Sequence, residues 1–270
     1  MKFRSLNARN HSAYFISDYW RLLLRVSLSE LRSRYAGSLF GLGWAILSPL
    51  FYISIYAVIY LFVFQVRVPS MSTIQYVLFI FSGLVPFLMT SDSLGNGVGS
   101  VAANRAVLSN TVFPVDLVPV KAVILAQTSM VVGMFIIVSA VALTGSLSWN
   151  ILLLPILWLL HMMALVGILW FISLINLIFR DLQNIVSLVV MVLVVASPIA
   201  YTPDMVPAAL KMLIVLNPFA YFVIVYQQII VLGVFPSPGN LFAVTSLGGG
   251  LFAAGGYFFY RAKQALIDYV

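Results

Sequence analysis

Residues 29–51, SELRSRYAGSLFGLGWAILSPLF, run from Glu30, Arg32 and Arg34 directly into sequence with no Asp, Glu, Lys or Arg from Tyr35 to Val66. No linker separates the charges from the apolar run. Across all 270 residues, 63% are hydrophobic and 8% charged, and the mean hydropathy is +1.09. That leaves too little polar surface to cover a soluble globule, while the charge-free runs reach the roughly 20 residues a helix needs to cross a bilayer. The chain reads as an all-α polytopic membrane protein. Its Met-Lys-Phe-Arg start leads into a mixed, charged stretch up to residue 34, so no short cleavable secretory peptide is expected. The absence of cysteine excludes disulfides and thiolate metal sites.

Six spans follow from the apolar pattern: about 39–64, 75–101, 117–143, 150–178, 182–202 and 240–260. Between the fifth and sixth, prolines 198, 203, 207 and 218 break the chain. Its longest uninterrupted apolar piece, Phe219 to Leu232, would reach only about 21 Å as a helix at about 1.5 Å per residue, short of a bilayer core of roughly 30 Å. Re-entrant half-helices are therefore expected over about 203–238, with their exposed backbone satisfied by protein or water. The domain plan is an N-terminal segment, 1–36, and a six-span membrane domain, 37–270.

Charge placement agrees with six spans. With the N-terminus inside, Lys2, Arg4, Arg9, Arg21, Arg25, Arg32, Arg34, Arg105, Lys121, Arg180, Arg261 and Lys263 fall on the cytoplasmic side. Only Arg67 and Lys211 of the 14 Lys and Arg lie outside. The expected location is a plasma membrane with both termini cytoplasmic. The net charge of +7 then belongs to a surface facing anionic lipid and is no sign of nucleic-acid binding.

The opening stretch now has a reading. On a helical wheel Asp18, Arg21, Arg25, Ser29 and Arg32 share one face, and Ile16, Trp20, Leu23, Leu24, Leu28 and Leu31 the other. Residues 14–33 thus form an amphipathic helix expected to lie in the cytoplasmic interface. Glu30 and Arg34 fall on its apolar side at i, i+4, where they are expected to pair, beside Gly37, Gly41 and Gly43, which permit a bend into the first span. An in-plane helix turning into a crossing helix explains why charges abut the span. Orientation anchor and anion-binding surface both remain open for these arginines.

Polar residues at membrane depth are few. The chain holds seven acidic residues, of which Asp92, flanked by Ser91 and Ser93, lies well inside a span and marks a polar contact of structure or function. Paired carboxylates for acid–base or glycosyl-transfer chemistry are missing, and no catalytic residue is expected. His161 has no second His, Cys, Asp or Glu nearby in sequence, so it reads as a packing histidine and no metal site is expected. Tyr52, Tyr56 and Tyr60 form a stripe at i, i+4 and i+8 on the first span, too deep for an interfacial belt. They are either a channel wall or buried phenols bonded to a neighbouring helix. The fifth span, aliphatic from Ile185 to Ile199 apart from Ser187 and Ser197-Pro198, offers no comparable surface. Gly95 with Gly99, Gly249 with Ala253 and Gly250 with Ala254 give small faces for close packing, within the subunit first and between subunits second.

Several stretches together resemble the permease subunit of polysaccharide-exporting ABC transporters: RSRYAGSLFGLGWAILSPL, Asp92 with Leu94, Asn104 with Phe113-Pro114, Phe179-Arg180-Asp181, Ser197-Pro198 and Asn217-Pro218. The likeness spans nearly the whole chain. It departs where such proteins commonly carry Lys or Arg before Phe-Pro, since Asn110 and Thr111 stand here. The resemblance implies export of lipid-linked polysaccharide such as O-antigen, capsule or teichoic acid from a bacterial inner membrane, by two copies of this chain with two cytoplasmic ATPase subunits. The chain has no G-x-x-x-x-G-K-[ST] loop, so ATP and Mg would be bound by that partner. Asn104, Arg105, Phe113 and Pro114 would form the ATPase-coupling loop. Arg21, Arg25, Arg32 and Arg34 would attract the carrier pyrophosphate, and Tyr52, Tyr56 and Tyr60 would line the sugar path. The alternatives are an ABC export permease for a drug or small lipid and, further off, a non-ATP carrier or scaffold.

Overall fold

The structure is a computed structural model that describes residues 11–63, 71–104 and 114–267. Helix α1, His11–Arg34, is amphipathic as its spacing dictates: Leu23 is fully buried, whereas Arg21, Arg25 and Arg32 are exposed. The chain then turns at Gly37 (φ 79°) and Gly41 (φ 49°), left-handed positions that a side chain would strain. Helix α2, Trp44–Val58, continues as a π turn, Ile59–Val63. Helix α3, Thr73–Gly97, starts at a capping box in which Ser72 accepts from the Gln75 amide and the Gln75 side chain accepts in return. A short α4, Ser100–Ala103, ends just before the expected loop 104–114, and α5, Leu117–Leu143, starts just after it. Helix α6, Leu154–Ile178, follows a 3₁₀ turn over Trp149–Leu153, and α7 covers Leu182–Ala196. The remainder is α8, Lys211–Leu216, α9, Pro218–Gln227, with a π turn to Leu232, and α10, Pro238–Ile267.

Among the described residues, four stretches are long and apolar enough to cross a membrane: Thr73–Gly97, Leu117–Leu143, Trp149–Ile178 and Pro238–Ala262. The first and fifth expected spans are apolar helices of 15 residues, below the usual crossing length. The π turn lengthens α2 by 5 residues. Helix α7 stops at Ser197-Pro198, where proline cannot extend the ladder.

The proline-broken region contains a sharp bend. Ala208–Leu216 and Pro218–Leu232 meet at 96°, with Asn217 at the corner. Its Oδ1 accepts from the Phe219 amide at 3.0 Å and its Nδ2 donates to Ser197 Oγ at 2.8 Å. The outer arm is largely exposed, while Phe219, Phe222, Val223, Tyr226, Ile229 and Ile230 of the inner arm are buried against the bundle. Just past the end of α7, the carbonyls of residues 198–200 are met by side chains. Gln227 Nε2 donates to Pro198 O (2.9 Å) and Ile199 O (3.1 Å), and Tyr76 Oη donates to Ala200 O (2.8 Å). Irregular backbone at membrane depth persists only when satisfied in this way.

The most extensive helix contact joins α6 and α10. A Cβ on Gly167 would overlap the Leu251 carbonyl, one on Gly255 the Gly167 carbonyl, and one on Gly248 the Leu160 carbonyl. In lipid such close backbone approach replaces the hydrophobic drive between helices. Within the subunit the expected small-residue faces are used only in part. Gly99 lies close against Gln183, whereas the space around Gly95, Gly249 and Gly250 is open and Ala253 and Ala254 are exposed, because the buried face of α10 lies to either side, at Gly248 and Gly255.

Candidate functional site

Five helices line a cavity of 470 Å³. Arg34 and Tyr35 come from the end of α1 and Ser48, Tyr52 and Tyr56 from one stripe of α2; α3 adds Ser91 and Asp92, and α5 adds Thr128 and Ser129. Helix α7 supplies the facing wall with Ser187, Val190, Met191 and Val194, whose i, i+3, i+4, i+7 spacing is one helical face. The fifth span therefore contributes a largely aliphatic surface to the same space, opposite the tyrosines.

Asp92 is the anionic group in the lining. Ser129 Oγ donates to its Oδ2 at 3.4 Å, and Arg34 lines the same cavity. Both residues, on α5 and α1, are far from Asp92 in sequence. Glu30 does not pair with Arg34 as the i, i+4 spacing predicts. Its Oε2 lies 2.6 Å from Lys121 Nζ on α5, and Lys121 is buried. A buried ammonium needs a counter-charge more than an exposed guanidinium does, so Lys121 takes the glutamate and Arg34 is left to the cavity.

The other expected residues sort as follows. Tyr52 and Tyr56 line the cavity, whereas Tyr60 lies outside the lining with its ring stacked on Tyr56 at 6.2 Å between centroids. Arg21, Arg25 and Arg32 sit on the exposed face of α1, away from the cavity. Asn104 donates to Ser100 O at 2.8 Å, and Pro114 is half-buried; Arg105 and Phe113 lie outside the described residues. His161 is buried, 2.9 Å from Thr90 Oγ1 through Nε2 and stacked on Phe222 at 4.4 Å. Among the described residues no three His, Cys, Asp or Glu could share a metal ion.

Sequence reading missed Ser48, Thr128, Ser129 and Gln227. Ser48 had a usable signal, being i−4 from Tyr52 on the tyrosine stripe. A second depression, of 220 Å³, lies between α4, the end of α6 and the start of α7, lined by Ala102, Asn176, Leu177, Arg180 and Gln183.

No family model matches the chain. It is, however, 31% identical over 224 residues to the O-antigen export system permease protein RfbA of Klebsiella pneumoniae, covering 82% of this chain and 84% of that protein. The chain belongs to the family of ABC-type polysaccharide export permeases. RfbA of Myxococcus xanthus is 27% identical over 215 residues, 78% of this chain and 81% of its own. The polysialic acid transport protein KpsM of Escherichia coli is 23% identical over 210 residues, 76% and 80% of the two chains. All three alignments cover more than three quarters of both proteins, so the membership concerns most of the chain. Like these permeases, the chain is a multi-pass membrane protein.

Proposed function

We propose that the chain is the membrane half of an ATP-driven exporter that moves lipid-linked, O-antigen-like polysaccharide out of the cytoplasm across a bacterial inner membrane. Two copies form the path, and two cytoplasmic ABC ATPase subunits, which bind ATP and Mg, act on residues 104–114. The topology is six spans with both termini cytoplasmic, α2 and α7 being the short ones, α1 in the interface and α8–α9 re-entrant. The observation that carries this reading is the cavity itself. A guanidinium, two phenols, several hydroxyls and a carboxylate converge from five helices into space that lipid alone would never require to be polar. Arginine binds phosphate oxygens bidentately and stays charged beside a membrane; phenol rings offer faces to sugar C–H groups and hydroxyls to sugar oxygens.

The test is complementation. In cells that make a lipid-linked glycan but lack this chain, co-expression with its ATPase restores surface polymer, and Arg34→Ala lowers it at least tenfold with membrane level and ATPase co-purification unchanged. Surface polymer appearing without the chain, or no polymer appearing with it, would refute the reading.

A further inference from the structure

An apolar slot adjoins the polar cavity. It occupies 280 Å³ between α1 and α5, with Leu24 and Leu28 on one side and Ile124, Val131 and Val132 on the other. Leu31, Leu125 and Thr128 line both spaces. The two spaces adjoin, one polar and one apolar, with those three residues between them, and Arg34 stands one turn beyond Leu31 on the polar side.

The slot has no titratable side chain in its lining. Of its polar groups, Gln127 is committed, accepting from Trp158 Nε1 at 2.7 Å and donating to Val123 O at 2.8 Å. Ser27 Oγ is buried with no hydrogen-bond partner. A sugar entering here would find only the Ser27 and Thr128 hydroxyls in exchange for its water, at a cost of several kcal/mol, so the slot favours a hydrocarbon occupant. The volume is below the roughly 300–1,000 Å³ of pockets that enclose a whole ligand, and Leu28 and Val131 at the rim are both about half exposed. Such a slot takes one segment of a chain whose remainder stays in the bilayer.

We propose that the slot between α1 and α5 holds the first segment of the carrier lipid's hydrocarbon tail, with the carrier phosphate on Arg34 and the attached sugar against Tyr52 and Tyr56. This rests on the export reading above. An amphiphile whose phosphate joins tail to sugar needs three environments in that order, and the two adjoining spaces present apolar wall, guanidinium and aromatic hydroxyls in that order. Helix α1 then acts as one wall of a lipid-binding cleft whose position is fixed by Glu30–Lys121.

The test uses the permease with its ATPase in membranes that contain the lipid-linked glycan. A benzophenone-bearing residue replaces Leu28, Val131, Tyr56 or, as a control, Leu159, an exposed leucine of α6. On irradiation, glycan-bearing adducts are expected at positions 28 and 131, several-fold above position 159, and Arg34→Ala lowers them. Phospholipid adducts alone at 28 and 131, or glycan adducts equal at 159, overturn the slot. Glycan adducts at 56 without any at 28 and 131 overturn the slot and leave the export reading standing. Failure at every position together with failed complementation overturns both.

Discussion

Tyr56 stands at the boundary between packing and path. Its ring is half-buried and stacked on Tyr60, yet it lines the cavity from mid-span. If its face carries sliding sugar contacts, Tyr56→Ala removes an aromatic contact worth about 0.5–1.5 kcal/mol and slows export several-fold, while Tyr56→Phe is mild. Surface-polymer kinetics at matched membrane level separate the cases: equal loss in both variants assigns the role to the hydroxyl, and normal export in Tyr56→Ala removes Tyr56 from the path. The stripe itself was readable, because tyrosines four apart on an apolar helix share a face whatever surrounds them. What met it was not readable. Asp92 gave away its cost in lipid but not its surroundings, since Ser129 bonds it and Arg34 shares its cavity only after α1, α3 and α5 have packed. Gln227 looked like one polar residue in an apolar run; its two bonds just past the end of α7 depend on chain that folds back from about 30 residues earlier.

Helix α1 shows how a local rule yields to a tertiary one. The i, i+4 spacing of Glu30 and Arg34 permits a pair worth only about 0.2–0.5 kcal/mol on an exposed helix, and Lys121 outbids it because its ammonium is buried. The asymmetry predicts a mutant cycle. Glu30→Gln leaves an unpaired buried charge and should loosen α1 strongly; Lys121→Met leaves a half-exposed glutamate and should be milder; the double variant should recover most of the loss. Protease accessibility of α1 in membranes reads this directly, and a double variant as loose as Glu30→Gln alone would refute the coupling. Other elements follow the same division. The break at Asn217-Pro218 was visible from proline chemistry, and the α1–α2 bend from its glycines. The α6–α10 seam was not, because glycines 248, 249 and 250 are consecutive and composition alone does not say which of them faces α6.

For the whole molecule, the open side of the cavity is the telling feature. Met191 lines the cavity and is nonetheless 69% exposed, and around it Leu188, Val192 and Val195 of α7 and Phe51, Ile55 and Val58 of α2 also face outward. A polar path cannot lie open to acyl chains, so the proposed second copy should bring these faces toward the cavity of the first. A two-fold interface is self-complementary, which puts some residue of the α7 face near its own symmetry mate. The chain has no cysteine, so single cysteines report this without background. Leu188→Cys, Val192→Cys and Val195→Cys span two turns of that face, and disulfide formation needs Cα atoms within about 7 Å. Mild oxidation in membranes containing the ATPase should therefore give a covalent homodimer from at least one of the three, and none from Leu159→Cys on α6. Dimer from Leu159→Cys alone would put the second copy against α6. No dimer from any α7 position would leave the cavity closed by something other than this face of a second copy.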